Sequence, residues 1–335
     1  MFYPTEYENS QEILIKKQKE AEKKEIRKAS NLLGVCYILM MVVMSFWILP
    51  FRLFAGLFSE DKGLLNEILS DTTIFQVVQI TVSSVAFIVS FYLYTVFMKV
   101  RLSDVGSFNR PKRKDLIFPM VLLGLGVCGF SNAVVSLAGS MFQSIGFNYT
   151  PNDMGNPTNV YGIILSFVAT AVTPALVEEF ALRGAVMGTL RRYGEGFAVI
   201  ISSIFFGLMH RNISQIPFAL ILGLVFGYAV IRTGSIWTAV IIHFLNNFVS
   251  VLFDYILSGL GEQTRYIISW IYFAVLMAIG VIGLIMLHKK GENSFNLDNS
   301  GGKLTVSEKI KVVFTSPLII ISVVVTAIDC IGALF

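Results

Sequence analysis

The chain has 335 residues, of which 55% are hydrophobic and only 14% charged, and its mean hydropathy is +0.71. Soluble domains carry about 25% charged residues, so a soluble globule is excluded. An all-α, polytopic transmembrane helical bundle of about eight to nine spans is expected instead. The net charge of +4 is mild. It suits contact with the lipid bilayer and anionic lipid heads, not binding of nucleic acid.

Residues 1–31 form a polar arm rich in Lys and Glu, expected to be helical or partly disordered and to lie in the cytoplasm. Its charge, and the late start of the first apolar run, do not fit a cleaved leader. Apolar spans follow at 32–57, 74–98, 116–145, 160–190, 197–210, 214–231, 235–257, 266–288 and 313–335. The run at 197–210 is short for a crossing, which takes about 20 residues. Pro50, Pro119, Pro174, Pro217 and Pro317 lie inside spans or near their ends. The polar stretch from Lys289 to Lys311, with Gly301-Gly302, reads as a flexible cytoplasmic linker before the last span. The organisation is then a polar arm at 1–31, two spans within 32–114, a core at 115–290, and a linker with an extra span at 291–335.

Lys and Arg mark one set of loop ends: the arm, Lys99 to Lys114, Arg191-Arg192, Arg232 and Lys289-Lys290. By the positive-inside rule these face the cytoplasm, so the N-terminus is expected inside, in a multi-pass cell (plasma) membrane protein. Cys36, Cys128 and Cys330 lie far apart in apolar runs, with no CxxC or Cys/His cluster, and read as small apolar residues.

Charge inside the fourth apolar run is the exception. Glu178, Glu179 and Arg183 stand within 160–190. A central charge disfavours membrane insertion by roughly 2.5–3.5 kcal/mol on translocon scales. Glu179 and Arg183 are four apart, the spacing of a helical ion pair. Glu178 is rotated about 100° from Glu179, and so is left to face a cavity as a base. Three uses stay open for the triad alone: catalysis, ion-coupled transport, or an ionic brace between helices.

The chain holds three histidines. His288 sits beside Lys289-Lys290 and reads as an interface residue. His210 and His243 lie in apolar runs. Helical rise puts Glu178 and His210 each about 20 Å from the basic ends of their spans, His243 about 12 Å and Asn247 about 18 Å. Four polar residues from three spans thus share one slab of membrane. His243 and Asn247 are four apart, on one helix face, able to donate to a single oxygen as an oxyanion hole. Asn246 points about 100° away and reads as a helix contact. Gly184-xxx-Gly188 and Gly223-xxx-Gly227 read as close-packing devices. Arg211 is expected to snorkel to the interface, and Asp254 and Asp329 to be interfacial or paired.

Glu178-Glu179-xxx-Arg183, Phe206-xxx-His210 and His243-xxx-Asn247, in that order, resemble the CPBP (CAAX protease and bacteriocin-processing, Abi) family of intramembrane endopeptidases. The resemblance covers about residues 115–290. It implies hydrolysis of peptide bonds in a membrane peptide or protein substrate, in settings such as CAAX processing, bacteriocin maturation or self-immunity. Glu178 and His210 would activate water, His243 and Asn247 would hold the oxyanion, and Glu179 and Arg183 would support them. It leaves the cofactor open: zinc, if used, would sit on Glu178, His210 and His243, although no HExxH is present. The rival is a non-enzymatic transporter subunit or regulatory membrane partner, with the buried charges as relay or brace.

Overall fold

The computed structural model describes residues 6–46, 72–103, 108–144, 160–292 and 296–332. All regular structure among them is helical. We label the helices α1 (Glu6–Phe46), α2 (Thr72–Phe97), α3 (Ile117–Ser144), α4 (Val160–Tyr193), α5 (Glu195–Leu208), α6 (Gln215–Thr233), α7 (Ile236–Leu257), α8 (Glu262–Lys289), α9 (Val306–Phe314) and α10 (Pro317–Gly332). Seven are long and apolar enough to cross a membrane, and α9 with α10 passes the same test together as a pair bent by 70°, a broken span or a re-entrant loop. The protein is a polytopic helical membrane bundle.

Several boundaries differ from those expected. The polar arm and the first span are one helix, because the Lys/Glu-rich stretch has high helix propensity and nothing interrupts it before Phe46. Residues 47–57 of that expected span lie outside the described residues. The run at 197–210 is not a full crossing. Helix α5 has 14 residues, or about 21 Å. It turns at 209–214 and returns as α6, so the two form an antiparallel hairpin. Within the last span Ser316 and Pro317 break α9 from α10, Pro317 opening the new helix where its missing N–H costs nothing.

Small residues set the helix spacing. A methyl group on Gly126 of α3 would stand 2.3 Å from the Cα of Gly280 on α8, which only a glycine pair allows. A methyl on Gly223 of α6 would stand 2.9 Å from the Cα of Ser203 on α5. The second GxxxG is therefore a packing device, as expected. Gly184 instead faces the ring of Phe108.

The basic loop ends gather at one end of the bundle. Glu292 is buried between Arg232 and Arg113, and Arg113 also grips Asp115 through two bonds of 3.0 Å. The stretch expected to be a flexible linker is docked there. Asn299 accepts from the Gly196 N–H at 3.0 Å. Glu22 of α1 accepts from the N–H groups of Lys303 and Leu304 at 2.6 and 3.0 Å. Lys309 is fully buried and donates to the carbonyls of Tyr193 and Gly301. A buried ammonium needs such acceptors, and they tie the segment down. At the opposite end Arg211 does not snorkel freely: its Nε lies 2.8 Å from Asp329 Oδ2. The three cysteines are buried and unpaired.

Candidate active site

The site is built on an irregular helix. In α4 the short α-helical segment Thr173–Glu179 is flanked by wider π-helical turns, Val168–Val172 and Phe180–Met187. Pro174 is the local cause of the first irregularity. It has no N–H for the carbonyl of Thr170, four residues before it, and its ring disfavours the ordinary helical bond. That carbonyl accepts from Asn247 Nδ2 at 3.0 Å. A break in one helix thus becomes a cross-link to α7, as membrane helices require of freed backbone groups.

Glu179 and Arg183 are both completely buried, with Arg183 Nη1 2.9 Å from Glu179 Oε1. Buried ions need more than each other. Arg183 Nη2 also donates to the Gly223 carbonyl at 3.3 Å, and the guanidinium lies 4.2 Å from the Phe206 ring centre and 5.2 Å from that of Phe226. Glu179 Oε1 receives a second donor, His243 Nδ1, at 2.9 Å. The pair is the brace the spacing implied, and it also orients a histidine.

Acceptor chemistry assigns the tautomers. His243 Nδ1 faces a carboxylate already bonded to arginine, so Nδ1 carries hydrogen. Its Nε2 then points at Glu178, 3.8 Å from Oε2. His210 Nδ1 lies 2.8 Å from the Phe206 carbonyl, which can only accept, so the free position of that ring is also Nε2. Phe206 stands between the two histidines, edge-on to both, with ring centres 5.3 Å from His210 and 5.6 Å from His243. Among the described residues no hydrogen bond joins His210 to Glu178.

Glu178 lacks its neighbour's partners: Glu179 Oε1 is held by Arg183 and His243, although Oε2 of both carboxylates is buried without a hydrogen bond in the protein. The Glu178 side chain is 15% exposed. A carboxylate oxygen held without a donor beside an imidazole is set to accept a proton from a third group. Asn247 lies one turn beyond His243. Its Oδ1 accepts from Asn246 at 2.9 Å and one amide hydrogen goes to Thr170, leaving one free. Asn246 is therefore a support for Asn247 as well as a buried helix residue. His288 is exposed at the end of α8, away from this cluster.

Among the described residues no group of three or more His, Cys, Asp or Glu side chains is arranged to hold a metal ion. Three participants escaped sequence reasoning. Phe226 stacks beside His243 at 5.4 Å, the Gly223 carbonyl receives Arg183, and the Thr170 carbonyl receives Asn247. Only the last had a sequence signal, Pro174.

Residues 160–249, which contain all of these groups, match the family model of the type II CAAX prenyl endopeptidase Rce1-like proteins. That stretch is similar to Rce1-like proteins. The resemblance read from the three motifs is borne out. Two curated relatives agree. The membrane-embedded CAAX protease MroQ of Staphylococcus aureus (strain USA300) is 26% identical over 165 residues, covering 46% of this chain and 66% of the relative. The YdiL protein of Bacillus subtilis (strain 168) is 25% identical over 95 residues, covering 28% of this chain and 39% of the relative. The chain thus spans just under two thirds of the first relative's length and two fifths of the second's. No solved structure gives a significant match. The matched residues take in α4 to most of α7, and α1 to α3 and α8 to α10 lie outside them.

Proposed function

We propose that this protein is an intramembrane endopeptidase that hydrolyses a peptide bond of a membrane-associated peptide or protein. The observation that carries this reading is the buried, undonated Oε2 of Glu178, 3.8 Å from His243 Nε2, on a scaffold locked by Glu179 and Arg183. A brace or a relay does not require, beside the carboxylate that serves as the brace, a second one facing an oriented imidazole with a spare amide donor one turn away.

In this mechanism water lies against Glu178 and attacks the scissile carbonyl carbon. Glu178 takes the proton that the water loses, with His210 Nε2 as the second acceptor at the same water. The carbonyl oxygen becomes an oxyanion. His243, protonated at Nε2 and steadied through Nδ1 by Glu179, donates to it, joined by the remaining amide hydrogen of Asn247. When the C–N bond breaks, the proton on Glu178 passes to the leaving amine, and acid and amine products depart. No covalent acyl-enzyme forms.

The gathering of Arg113, Arg191, Arg192, Arg232, Lys289 and Lys290 at one end supports a cytoplasmic assignment for that end, and so a cytoplasmic N-terminus in a bacterial plasma membrane. CAAX-type ends are the substrate class that the Rce1-like likeness favours. Bacteriocin maturation and self-immunity are further settings within the same chemistry. The test is cleavage of a farnesylated and an unmodified CAAX peptide by the purified protein in detergent, with Glu178→Ala, His210→Ala and His243→Ala in parallel. Loss of cleavage in all three supports the assignment, and wild-type rates in all three overturn it.

A further inference from the structure

His210 does not lie inside a helix. It occupies the turn after α5, where its N–H reaches the Gly207 carbonyl at 3.2 Å and the next residue, Arg211, takes a left-handed backbone with φ of 53°. A non-glycine residue holds that conformation only where its surroundings impose it. The Arg211 side chain is held by two other helices. Nε lies 2.8 Å from Asp329 Oδ2 on α10, and Nη1 donates to Ser45 Oγ on α1 at 3.0 Å.

A second path runs from the same helix to the same histidine. Thr326, one turn before Asp329 on α10, pairs its hydroxyl with Tyr37 of α1 at 2.8 Å. The Tyr37 ring meets Phe205 edge-on at 5.5 Å. Phe205 adjoins Phe206, whose carbonyl fixes His210 Nδ1. Two side chains on one face of α10 thus bear on the two sides of the His210 turn. Neither Asp329 nor Thr326 lies within the matched residues 160–249.

We propose that α10 is a strut that positions His210, with Asp329 and Arg211 as positioning residues for the proposed hydrolysis. The inference rests on the catalytic reading of His210, since without it the strut would hold a turn of no consequence. Arg211 and Asp329 are each about a third exposed, at 31% and 30%. A pair so placed contributes little to global stability, so its loss leaves the bundle folded and loosens the turn.

The test uses the full chain with the near-isosteric Asp329→Asn, the conservative Asp329→Glu, and the reversed pair Arg211→Asp with Asp329→Arg. Two readouts are taken: amide exchange over 209–214 and steady-state kinetics on a cleaved peptide. In Asp329→Asn, exchange over 209–214 rises while the melting temperature holds. There kcat falls roughly ten- to hundred-fold, the range for a displaced catalytic group, and KM stays within about two-fold. Asp329→Glu and the reversed pair restore both readouts. In a His210→Ala background Asp329→Asn costs nothing further. Unchanged exchange in Asp329→Asn overturns the strut. Wild-type kcat in Asp329→Asn, with His210→Ala inactive, overturns the positioning role. Raised exchange with a fully active His210→Ala instead overturns the catalytic reading of His210 and leaves the strut standing, so the two failures are distinguishable.

Discussion

His243 Nδ1 lies 2.9 Å from Glu179 Oε1, the same oxygen that Arg183 Nη1 holds at 2.9 Å. One buried carboxylate therefore does two tasks. It neutralises an arginine that has no exit to water, and it sets the ring angle and tautomer of a histidine on another helix.

Removing one charge of the brace leaves the other buried and alone. Glu179→Gln and Arg183→Gln are each expected to destabilise the bundle by about 3–5 kcal/mol. The double variant Glu179→Gln with Arg183→Met is expected to lose less than the sum. Thermal unfolding in detergent checks the stability cycle. Peptide cleavage is expected to stay low in the double variant, because His243 has lost the acceptor that orients it.

Glu178 has no partner like those that hold Glu179 Oε1. Its Oε2 is buried without a hydrogen bond in the protein, as is that of Glu179, and a buried oxygen without a donor costs stability. Glu178→Gln is expected to reduce cleavage by about 10²–10⁴-fold, the range for loss of a positioned base. Its melting temperature should be equal to or above that of the wild type. A variant that loses activity and melts lower would point to a structural role for Glu178.

Pro174 and Asn247 act as a pair across α4 and α7. Pro174→Ala supplies an N–H four residues after Thr170 that competes for its carbonyl. The Asn247 amide is then expected to lose its anchor, and cleavage to fall with little change in stability. Asn247→Leu leaves the Thr170 carbonyl unpaired and is expected to cost about 1 kcal/mol, typical of interhelical bonds in membranes. Comparing kcat with melting temperature in the two variants separates the roles.

Gly223 serves packing and the site together, since its Cα faces Ser203 and its carbonyl receives Arg183 Nη2. Gly223→Ala forces α6 away from α5 and is expected to destabilise by about 1–3 kcal/mol, as for other overpacked positions. Ser203→Gly in the same chain should recover part of that loss, read by the same thermal assay.

Much of this was legible because it follows from local spacing. Glu179 and Arg183 pair because residues four apart share a helix face, and Gly223-xxx-Gly227 packs because small residues admit a neighbouring backbone. Other features depend on partners distant in sequence. Arg211 was expected to snorkel, yet Asp329 stands 118 residues away and meets it. The stretch from Lys289 to Lys311 reads as linker by composition, yet Glu22, Gly196 and Tyr193 hold its residues Lys303, Leu304, Asn299 and Lys309. Nothing in the local pattern of either segment announces those partners.

By itself the sequence determined the membrane-spanning helical class, most of the spans, the brace, and the residues able to carry chemistry. Hydropathy and helical periodicity are properties of contiguous residues, and the cost of charge in an apolar run holds in any fold. Only the tertiary structure decided which atoms face one another. It turned His243 Nε2 toward Glu178, gave the freed Thr170 carbonyl to Asn247, and set His210 in a turn held from α10. Those outcomes depend on angles between helices and on acceptors supplied by other spans, which spacing along one helix does not encode.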